Sequence, residues 1–404
     1  MYLIIINKVG ENMFTSIFDT INNTSFFWER VVSLFIFLIV LLFFTILIKK
    51  GKSYKQIKLY LISYLICLAI MGFMFIPSNA HDLYRLYIDM HKFDGLSWIS
   101  FMQKVFTSIR YTRDFLYFVV VKLGNDRFLA MFASIIYYSI VFYIIYDYSK
   151  TNKVSSRAIS KTLFLYMIAG QFGDVVAGIR SFCAFALCAL CIYRELYKNK
   201  SLISDIIFYI LAIGMHSVSI PIILVRMIFL IFQKESKIYK KIINVIIFLI
   251  ILIIGLKYGD IIIQEAFNKG SNYINTGESV SWLFWNKIGS WIILSIILFI
   301  IYNLKKKKQI NKNTVQNYKK ITIFFIIFEL IFAFIEDNIF YRFSTLTFTL
   351  FLPFVIDYYN MLPTHKYKHT ILYNDLILYA LMLLLIIIEF SRGTICGIKF
   401  FIFD

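Results

Sequence analysis

Long apolar runs alternate with short polar loops along almost the whole of this chain. Each run reaches, or nearly reaches, the ~20 residues that an α-helix needs to cross a ~30 Å hydrocarbon core. The alternation predicts an all-α, polytopic integral membrane protein of about 12 transmembrane helices (range about 10–14), forming a single transmembrane domain over residues 1–404. The expected spans are 31–48, 58–76, 127–146, 162–176, 179–193, 203–217, 218–232, 242–258, 287–303, 321–335, 343–358 and 376–390.

The positive charge lies mainly on one side of this alternation. Of the 42 Lys and Arg residues, 25 fall in six loops that the alternating spans place on the same side. Cytoplasmic loops carry an excess of Lys and Arg, so we predict that these loops are cytoplasmic and that both termini lie outside. The loops are 49–58, 148–161, 194–200, 233–241, 304–320 and 359–375, with the densest basic stretch at 305–320.

Composition narrows the class of protein further. The chain is 60% hydrophobic with a mean hydropathy of +0.75, which excludes a soluble domain of this length. Its net charge of +19 lies in loops beside membrane spans, so we expect contact with lipid headgroups and none with nucleic acid. Cys188 and Cys191 form a C-x-x-C without a second pair, and we expect no metal site and no cofactor.

Two polar segments on the outer side are long enough to contribute to a site. Residues 77–126 hold a polar helical stretch and then the apolar stretch 115–123, which is too short to span and is predicted to form a re-entrant or interfacial helix. Residues 259–286 form a polar, glycine-containing loop suited to covering a site. The chain has no P-loop and no dinucleotide fingerprint, so nothing in it indicates ATP hydrolysis.

The few charges predicted on the outer side are candidate site residues, because an ionised group in a membrane is costly and usually marks a pathway or a site. Asp82 and Arg85 share one helix face, and Arg113 and Asp114 precede the short apolar helix. The alternative for the first pair is a solvated amphipathic helix. The alternative for the second pair is an interfacial cluster whose long side chains reach toward water.

Further candidates lie at the outer ends of later spans. Asp174 and Arg180 bracket a tight turn between two apolar runs, where a capped turn is the alternative. His216 lies between two apolar runs, and histidine is the side chain whose ordinary pKa best suits a general base at neutral pH. Asp337 and Arg342 complete the set, with a short solvated loop as the alternative.

Four short motifs occur in order along these same segments. They are Asp82-Leu83-Tyr84-Arg85-Leu86-Tyr87, Arg113-Asp114-Phe115, Ile179-Arg180-Ser181 and Met215-His216-Ser217-Val218-Ser219. Together they resemble the motifs of the EpsG family of Wzy-type polysaccharide polymerases, over about residues 31–360. The chain departs from the family's pattern at Leu86, Phe115 and Ser181, where the family often has Tyr, Pro and Gln.

The resemblance implies a GT-C-like helical bundle in the bacterial cytoplasmic (inner) membrane, with its active site facing the periplasm or the cell exterior. Such enzymes join oligosaccharide repeat units that are carried on undecaprenyl diphosphate. They pass the growing chain from its lipid carrier to the non-reducing end of the next lipid-linked unit. The implied partners are this lipid-linked oligosaccharide, membrane lipids, a flippase and a chain-length regulator.

The candidate residues suit that chemistry. The donor sugar leaves a lipid diphosphate behind, so the reaction needs cations around the diphosphate, and Arg180 and Arg113 offer guanidinium groups that bind phosphate bidentately. The acceptor hydroxyl needs a base or an orienting acceptor, which His216 or Asp82 would supply. We therefore expect catalytic roles for His216, Asp82 and Arg180, and substrate-binding roles for Arg85, Arg113, Asp114, Asp174, Asp337 and Arg342.

Two other functions stay open. A lipid-linked oligosaccharide flippase needs ionisable residues at several depths of the bundle, and Arg226 and Glu329 are the residues that favour it. An O-antigen ligase-type glycosyltransferase shares the donor and the need for arginines. The sequence separates it only weakly from a polymerase.

Overall fold

The structure is a computed structural model that describes most of the chain between Thr24 and Arg392. The described part is α-helical and contains no β-strand. The described residues are 24–77, 82–108, 110–170, 172–198, 202–231, 280–306, 313–334, 337–362 and 368–392, together with Lys200, Ile242, Val245, Ile246 and Leu249.

The helices of this part of the chain are numbered here in chain order, and a 3-10 turn at His91–Phe93 follows the third. They are α1 Thr24–Lys50, α2 Tyr54–Phe73, α3 Asp82–Met90, α4 Trp98–Thr107, α5 Tyr111–Leu123, α6 Phe128–Thr151, α7 Ser156–Ala169, α8 Phe172–Ala177, α9 Ile179–Leu196, α10 Leu202–Met215, α11 Ser219–Ile231, α12 Val280–Lys306, α13 Asn313–Phe332, α14 Asp337–Met361 and α15 Lys368–Arg392.

Five helices in the described part are long and apolar enough to cross a membrane. Their apolar stretches are Val31–Lys50, Tyr54–Phe73, Phe128–Thr151, Trp285–Lys305 and Ile339–Met361. Helices α10 and α11, with 14 and 13 residues, are about 20 Å long and fall short of the ~30 Å core. These findings support a helical membrane protein but not the expected count of about 12 spans. The span expected at 242–258 lies largely outside the described residues.

The sequence located most helices correctly and misplaced several of their ends. The span expected at 162–176 is broken, because α7 ends at Ala169 and α8 begins only at Phe172. Gly170 stands at the break, and glycine is a poor helix former. The outer loop expected at 259–286 ends early, since α12 begins at Val280, and its remainder lies outside the described residues. The basic segment 305–320 is also partly helical at both of its ends.

Helix α9 lies at the centre of the bundle and is buried along nearly its whole length. It packs against α6, α10, α11, α13 and α14, and small side chains such as Ala184 and Cys188 let neighbouring helices approach closely. Some polar groups inside the bundle bond to one another. The Tyr137 and Tyr166 hydroxyls lie 2.7 Å apart, and the Tyr166 hydroxyl lies 2.8 Å from the Thr349 hydroxyl. This relay joins α6, α7 and α14.

Four of the loops predicted to share one side of the membrane meet at one end of the bundle, called here the basic end. Hydrogen bonds link the loops to one another: Ser156 Oγ donates to the Lys49 carbonyl, Asn152 Nδ2 to the Tyr197 hydroxyl, and the Ser155 N–H to Asn360 Oδ1. The chain between α2 and α6, and the first turn of α9, lie at the opposite end, called here the site end.

Candidate functional site

A layer of short helices, called here the cap layer, covers part of the site end. It consists of α3, α4 and α5, of which α3 packs against α8 and α5 packs against α6 and α10. Its interior is aromatic: the rings of Phe101 and Phe118 stack with centroids 3.9 Å apart, and Trp98 meets Phe118 edge-on at 4.7 Å. Buried aromatic packing of this kind holds the charged residues of α3 and α5 against the ends of the bundle helices.

Arg180 and Asp82, which are 98 residues apart, form an ion pair between the bundle and the cap layer. Arg180 Nη2 donates to Asp82 Oδ2 at 2.8 Å. Gly178 makes this position possible, because a Cβ atom there would come within 2.7 Å of the Phe182 ring. The Arg180 side chain is only 16% exposed, whereas that of Asp82 is 40% exposed. The pair therefore joins a nearly enclosed cation to a carboxylate that solvent reaches.

Arg113 forms a second arginine–carboxylate unit on α5. Its Nε and Nη2 donate to Asp114 Oδ1 at 2.8 and 2.5 Å, and Ser108 Oγ donates to Asp114 Oδ2 at 2.5 Å. Asp114 thus accepts from both sides, while Arg113 keeps Nη1 for another partner. Both side chains are largely enclosed.

Tyr117, one turn after Arg113, links these two units, and the sequence analysis missed it. The Arg113 guanidinium lies over its ring, 5.3 Å from the centroid. Its hydroxyl is buried and has no hydrogen-bond partner among the residues that the structure describes. Arg180, Arg113, Asp89 and Asp82 are near enough to act electrostatically on it. Tyr117 therefore lies in the neighbourhood of both arginine–carboxylate units. Arg113 and Tyr117 are four residues apart, and side chains at this spacing are neighbours on a helix, so the sequence could have indicated their contact.

His216 forms the turn between α10 and α11. Its Nδ1 accepts the Val218 N–H at 3.1 Å, and its carbonyl accepts the Ser219 hydroxyl at 2.9 Å. An accepting Nδ1 places the proton of the neutral ring on Nε2, as assigned from this hydrogen bond. The ring is then a donor at Nε2. This arrangement suits an orienting role better than proton abstraction.

Gly214, two residues before His216, brings α10 directly against α5. A Cβ atom at this position would overlap the Tyr111 ring and the Thr112 hydroxyl. The Tyr111 hydroxyl also donates to the Ile210 carbonyl. The turn that carries His216 is thus held beside the first turn of α5, where Arg113 follows directly.

Arg85 and Asp174 are two further predicted residues at the site end. Arg85 is exposed, and within the described part of the chain no carboxylate lies within ion-pair distance of it. Asp82 pairs with Arg180 instead, and Asp89 pairs with Lys92 at 2.5 Å. Asp174 is buried in α8, and its carbonyl accepts the Gly178 N–H at 2.7 Å, so it helps to form the turn before Arg180.

The second turn of α12 and the first turn of α14 form a second polar group at the site end. Lys287 Nζ lies 2.7 Å from Asp337 Oδ1, and this lysine was not among the predicted residues. Asn286, also missed, is buried, and neither end of its amide has a partner among the described residues. Arg342 follows Tyr341, whose ring lies 6.3 Å from that of Phe182 on α9. Arg342 therefore lies on a helix beside the one that carries Arg180.

A histidine clasp joins the two ends of the cap layer. His91 Nδ1 lies 2.9 Å from Asp94 Oδ2, and His91 Nε2 lies 3.0 Å from Asp126 Oδ2, in the turn between α5 and α6. Hydrogen bonds to Asp126 and then to Asp94 raise the pKa of His91 above its usual value. Across the described residues, no group of three or more His, Cys, Asp or Glu is arranged to hold a metal ion.

The charged residues that favour a flippase are deeply buried. Arg226 Nε donates to Glu195 Oε2 at 2.7 Å, and the Tyr209 hydroxyl donates to the same oxygen at 3.2 Å. Glu329 is fully buried on α13.

Comparison with known protein families places this site in context. The EpsG family model matches residues 114–401, which is well over half of the chain. The chain belongs to the EpsG family. The resemblance predicted from the four motifs is therefore confirmed. No curated protein and no solved structure matches this EpsG-family chain. The match begins at Asp114, so Asp82, Arg85 and Arg113 precede it.

Membership of the EpsG family supports a polysaccharide polymerase-like role. The matched region includes six of the predicted site positions, namely Asp114, Asp174, Arg180, His216, Asp337 and Arg342. The helical architecture and the apolar stretches agree with a membrane protein of polysaccharide biosynthesis.

Proposed function

We propose that this chain polymerises undecaprenyl-diphosphate-linked oligosaccharide repeat units at the outer face of the bacterial cytoplasmic membrane. The growing chain is transferred to the non-reducing end of a new lipid-linked unit. The observation that carries this proposal is the pair of largely enclosed arginines at the site end, Arg180 bound to Asp82 and Arg113 bound to Asp114, in an EpsG-family chain.

The two arginines suit the leaving group. The bond between the sugar's C1 and the phosphate oxygen breaks, and undecaprenyl diphosphate departs with the electron pair. Guanidinium groups held in an enclosed site stabilise the charge that builds on that oxygen, because they are already oriented and poorly screened by water. Arg180 and Arg113 are both more than four-fifths enclosed, which supports this role. A diphosphate would also replace the carboxylate with which Arg180 now pairs.

Asp82 is the better candidate for the base. The acceptor hydroxyl oxygen forms the new bond to C1 and must lose its proton. The Asp82 carboxylate is 40% exposed and becomes free to accept that proton when the diphosphate takes Arg180 from it. His216 already uses Nδ1 as an acceptor for the Val218 N–H, so we assign it the orientation of a substrate oxygen through Nε2–H.

The acceptor sugar is proposed to lie toward α12 and α14. Saccharide hydroxyls are recognised by amides and by charged groups that donate and accept hydrogen bonds. Asn286 offers an amide that bonds to no described residue. Lys287, the next residue of α12, and Asp337 on α14 offer a cation and a carboxylate that are each a little over one-third exposed. Arg342 adds positive charge between this group and Arg180.

The orientation in the membrane follows from charge. Four of the basic loops lie at the basic end, and positive loops stay in the cytoplasm, so the site end would face outward. We also propose that the chain crosses the membrane about 12 times, as expected from the sequence.

A flippase is the second candidate, because Arg226 and Glu329 place charge inside the bundle. Transport requires polar groups that a passing headgroup meets in turn. The middle of α9 is instead lined by buried apolar side chains from Phe182 to Ile192. This favours chemistry at one end of the bundle over passage through it.

Reconstitution tests the proposal directly. The purified protein in nanodiscs is mixed with lipid-linked repeat units, and the products are separated on a gel. A ladder of chain lengths is expected. A single transfer to a different acceptor would indicate a ligase, and transbilayer movement of a labelled unit in liposomes without any product would indicate a flippase; either result contradicts the proposal.

A further inference from the structure

The Tyr117 hydroxyl is buried near several charged side chains and makes no hydrogen bond to any residue that the structure describes. The side chain is 1% exposed. Arg113, Arg180, Asp82 and Asp89 all act on the hydroxyl electrostatically, yet none of them bonds to it. Burying a hydroxyl without a partner costs free energy, so a position that keeps one among so many charges is a candidate for a bond made only when a ligand is present.

We propose that the Tyr117 hydroxyl is a third donor to the diphosphate of the prenyl-linked donor, alongside Arg113 and Arg180. The inference rests on the proposed function and adds a substrate-binding residue to it. Arg180 comes from the bundle and is held to the cap layer through Asp82, whereas Arg113 and Tyr117 both come from the cap layer and contact each other.

The charge around the hydroxyl favours an anion over a neutral sugar. Two guanidinium groups lie near it, and one of them covers the face of its ring. Burial raises the pKa of Tyr117 well above its usual value, so the phenol keeps its proton and is a donor at neutral pH. A protonated phenol donates well to a phosphate oxygen, and bonds to charged acceptors are roughly twice as strong as neutral ones.

Access to the hydroxyl requires a side-chain rearrangement, because the oxygen is closed off from solvent. The bond we expect to open is that between Arg180 and Asp82. An incoming diphosphate competes with the Asp82 carboxylate for the same guanidinium, and Asp82 is exposed enough to be hydrated once it is released. Donor binding and release of Asp82 are then one event.

Replacement of Tyr117 by phenylalanine isolates the hydroxyl. Tyr117→Phe keeps the ring, its packing and the Arg113 contact, and it removes only an atom without a partner. Tyr64→Phe is the matched control, since Tyr64 is also fully buried with an unpartnered hydroxyl but lies in the middle of α2, stacked on Phe44 and Phe142. Both variants are expected to unfold at the wild-type temperature or slightly above it.

Binding of farnesyl diphosphate to the purified full chain is the decisive measurement. The Kd is expected to rise about 10- to 100-fold in Tyr117→Phe and to stay within about threefold of wild type in Tyr64→Phe. Farnesyl monophosphate is expected to lose less affinity in Tyr117→Phe, because the monophosphate presents fewer oxygens to the three donors. Equal affinity of Tyr117→Phe and wild type for farnesyl diphosphate would overturn the inference.

The inference and the proposed function fail in different ways. If farnesyl diphosphate binds with the expected ranking but no ladder forms from lipid-linked units, the polymerase proposal fails while the donor site stands. If a ladder forms and Tyr117→Phe matches wild type in both assays, only the inference fails. Absence of saturable binding to the wild-type chain would overturn the inference whatever the ladder shows.

Discussion

Two arginine–carboxylate pairs, one at each end of α9, differ in how far solvent reaches them. Arg180 pairs with Asp82 at the site end, with side chains 16% and 40% exposed. Arg226 pairs with Glu195 near the basic end, with side chains 1% and 3% exposed. Arg180 and Glu195 lie on the same helix, about 22 Å apart along its axis. We call Arg180–Asp82 the open pair, because solvent reaches its carboxylate, and Arg226–Glu195 the sealed pair, because solvent reaches neither side chain.

The difference indicates which pair can exchange its partner. A sealed pair is held by the low dielectric around it, and separating it leaves an uncompensated charge in the bundle. A half-exposed pair loses little when its carboxylate moves into water, so a competing anion can take the arginine. We therefore assign the open pair to substrate binding and the sealed pair to the packing of α9, α10 and α11.

The largest expected effect comes from the open pair. Arg180→Ala removes a preoriented cation from the diphosphate, and elongation is expected to fall at least about 100-fold. Membrane insertion and thermal unfolding are expected to stay near wild type, because the lost ion pair is partly solvated. The measurement is ladder formation from lipid-linked units. Arg157→Ala, which removes an exposed arginine at the basic end, is the control. Wild-type ladders from Arg180→Ala would remove Arg180 from the site.

Substitution in the sealed pair is expected to lower the free energy of unfolding. Arg226→Met leaves the Glu195 carboxylate buried without its partner, and we expect a loss of about 3–5 kcal/mol in the free energy of unfolding. The double variant Arg226→Met, Glu195→Met is expected to recover most of that loss, because no charge is left behind. Thermal unfolding in detergent measures both.

The double variant also separates the two functions. A stable double variant that still forms ladders supports a packing role for the sealed pair. A stable double variant that no longer handles lipid-linked units would contradict the comparison and favour the flippase.

A smaller effect is expected at Asn286. Asn286→Leu replaces an unpartnered buried amide by an apolar group of similar size, so the unfolding temperature should stay the same or rise. If the amide binds acceptor hydroxyls, elongation should fall about tenfold and the KM for the acceptor should rise. Asn303→Leu, in the same helix but at the basic end, is the control. Unchanged elongation in Asn286→Leu would remove α12 from the acceptor site.

The smallest expected effect is a pH dependence at the histidine clasp. The folded chain raises the pKa of His91, so the clasp stabilises the cap layer fully below the unfolded value of about 6.5 and loses its effect as pH rises through the raised pKa. The difference in unfolding temperature between wild type and His91→Ala should therefore be largest near pH 5.5 and shrink by pH 8.5. Since exposed ion pairs contribute about 0–1 kcal/mol, the shift is small. A difference that grows with pH would contradict the assignment.

The class of fold could be predicted from the sequence, because a helix surrounded by lipid or by other helices is apolar along its length and therefore appears as a long hydrophobic run. Twelve spans were predicted, and the helices α1, α2, α6, α9 and α14 fall where five of these spans were expected. The break at Gly170 was missed, since the residues on both sides are equally apolar and hydropathy carries no information about a change in chain direction.

The sequence also predicted charges that the fold brings together, such as Asp82 and Arg180. It did not single out Tyr117 or Asn286, because tyrosine and asparagine are common at the ends of membrane helices and their positions beside the arginines or inside the bundle depend on the tertiary fold. Asp82 and Arg85 were predicted to share one helix face, and the structure adds a contact that the sequence did not indicate, between Asp82 and Arg180 of α9.

Gly214 has a consequence for how the site is adjusted. The hydrogen atom on its α-carbon is all that separates α10 from the aromatic ring and hydroxyl at the start of α5. A methyl group there would push the helix that bears Arg113 away from α10, which would shift one charged group without removing any. Gly214 thus sets the distance between α10 and the helix that carries Arg113, although it lies outside the proposed site itself.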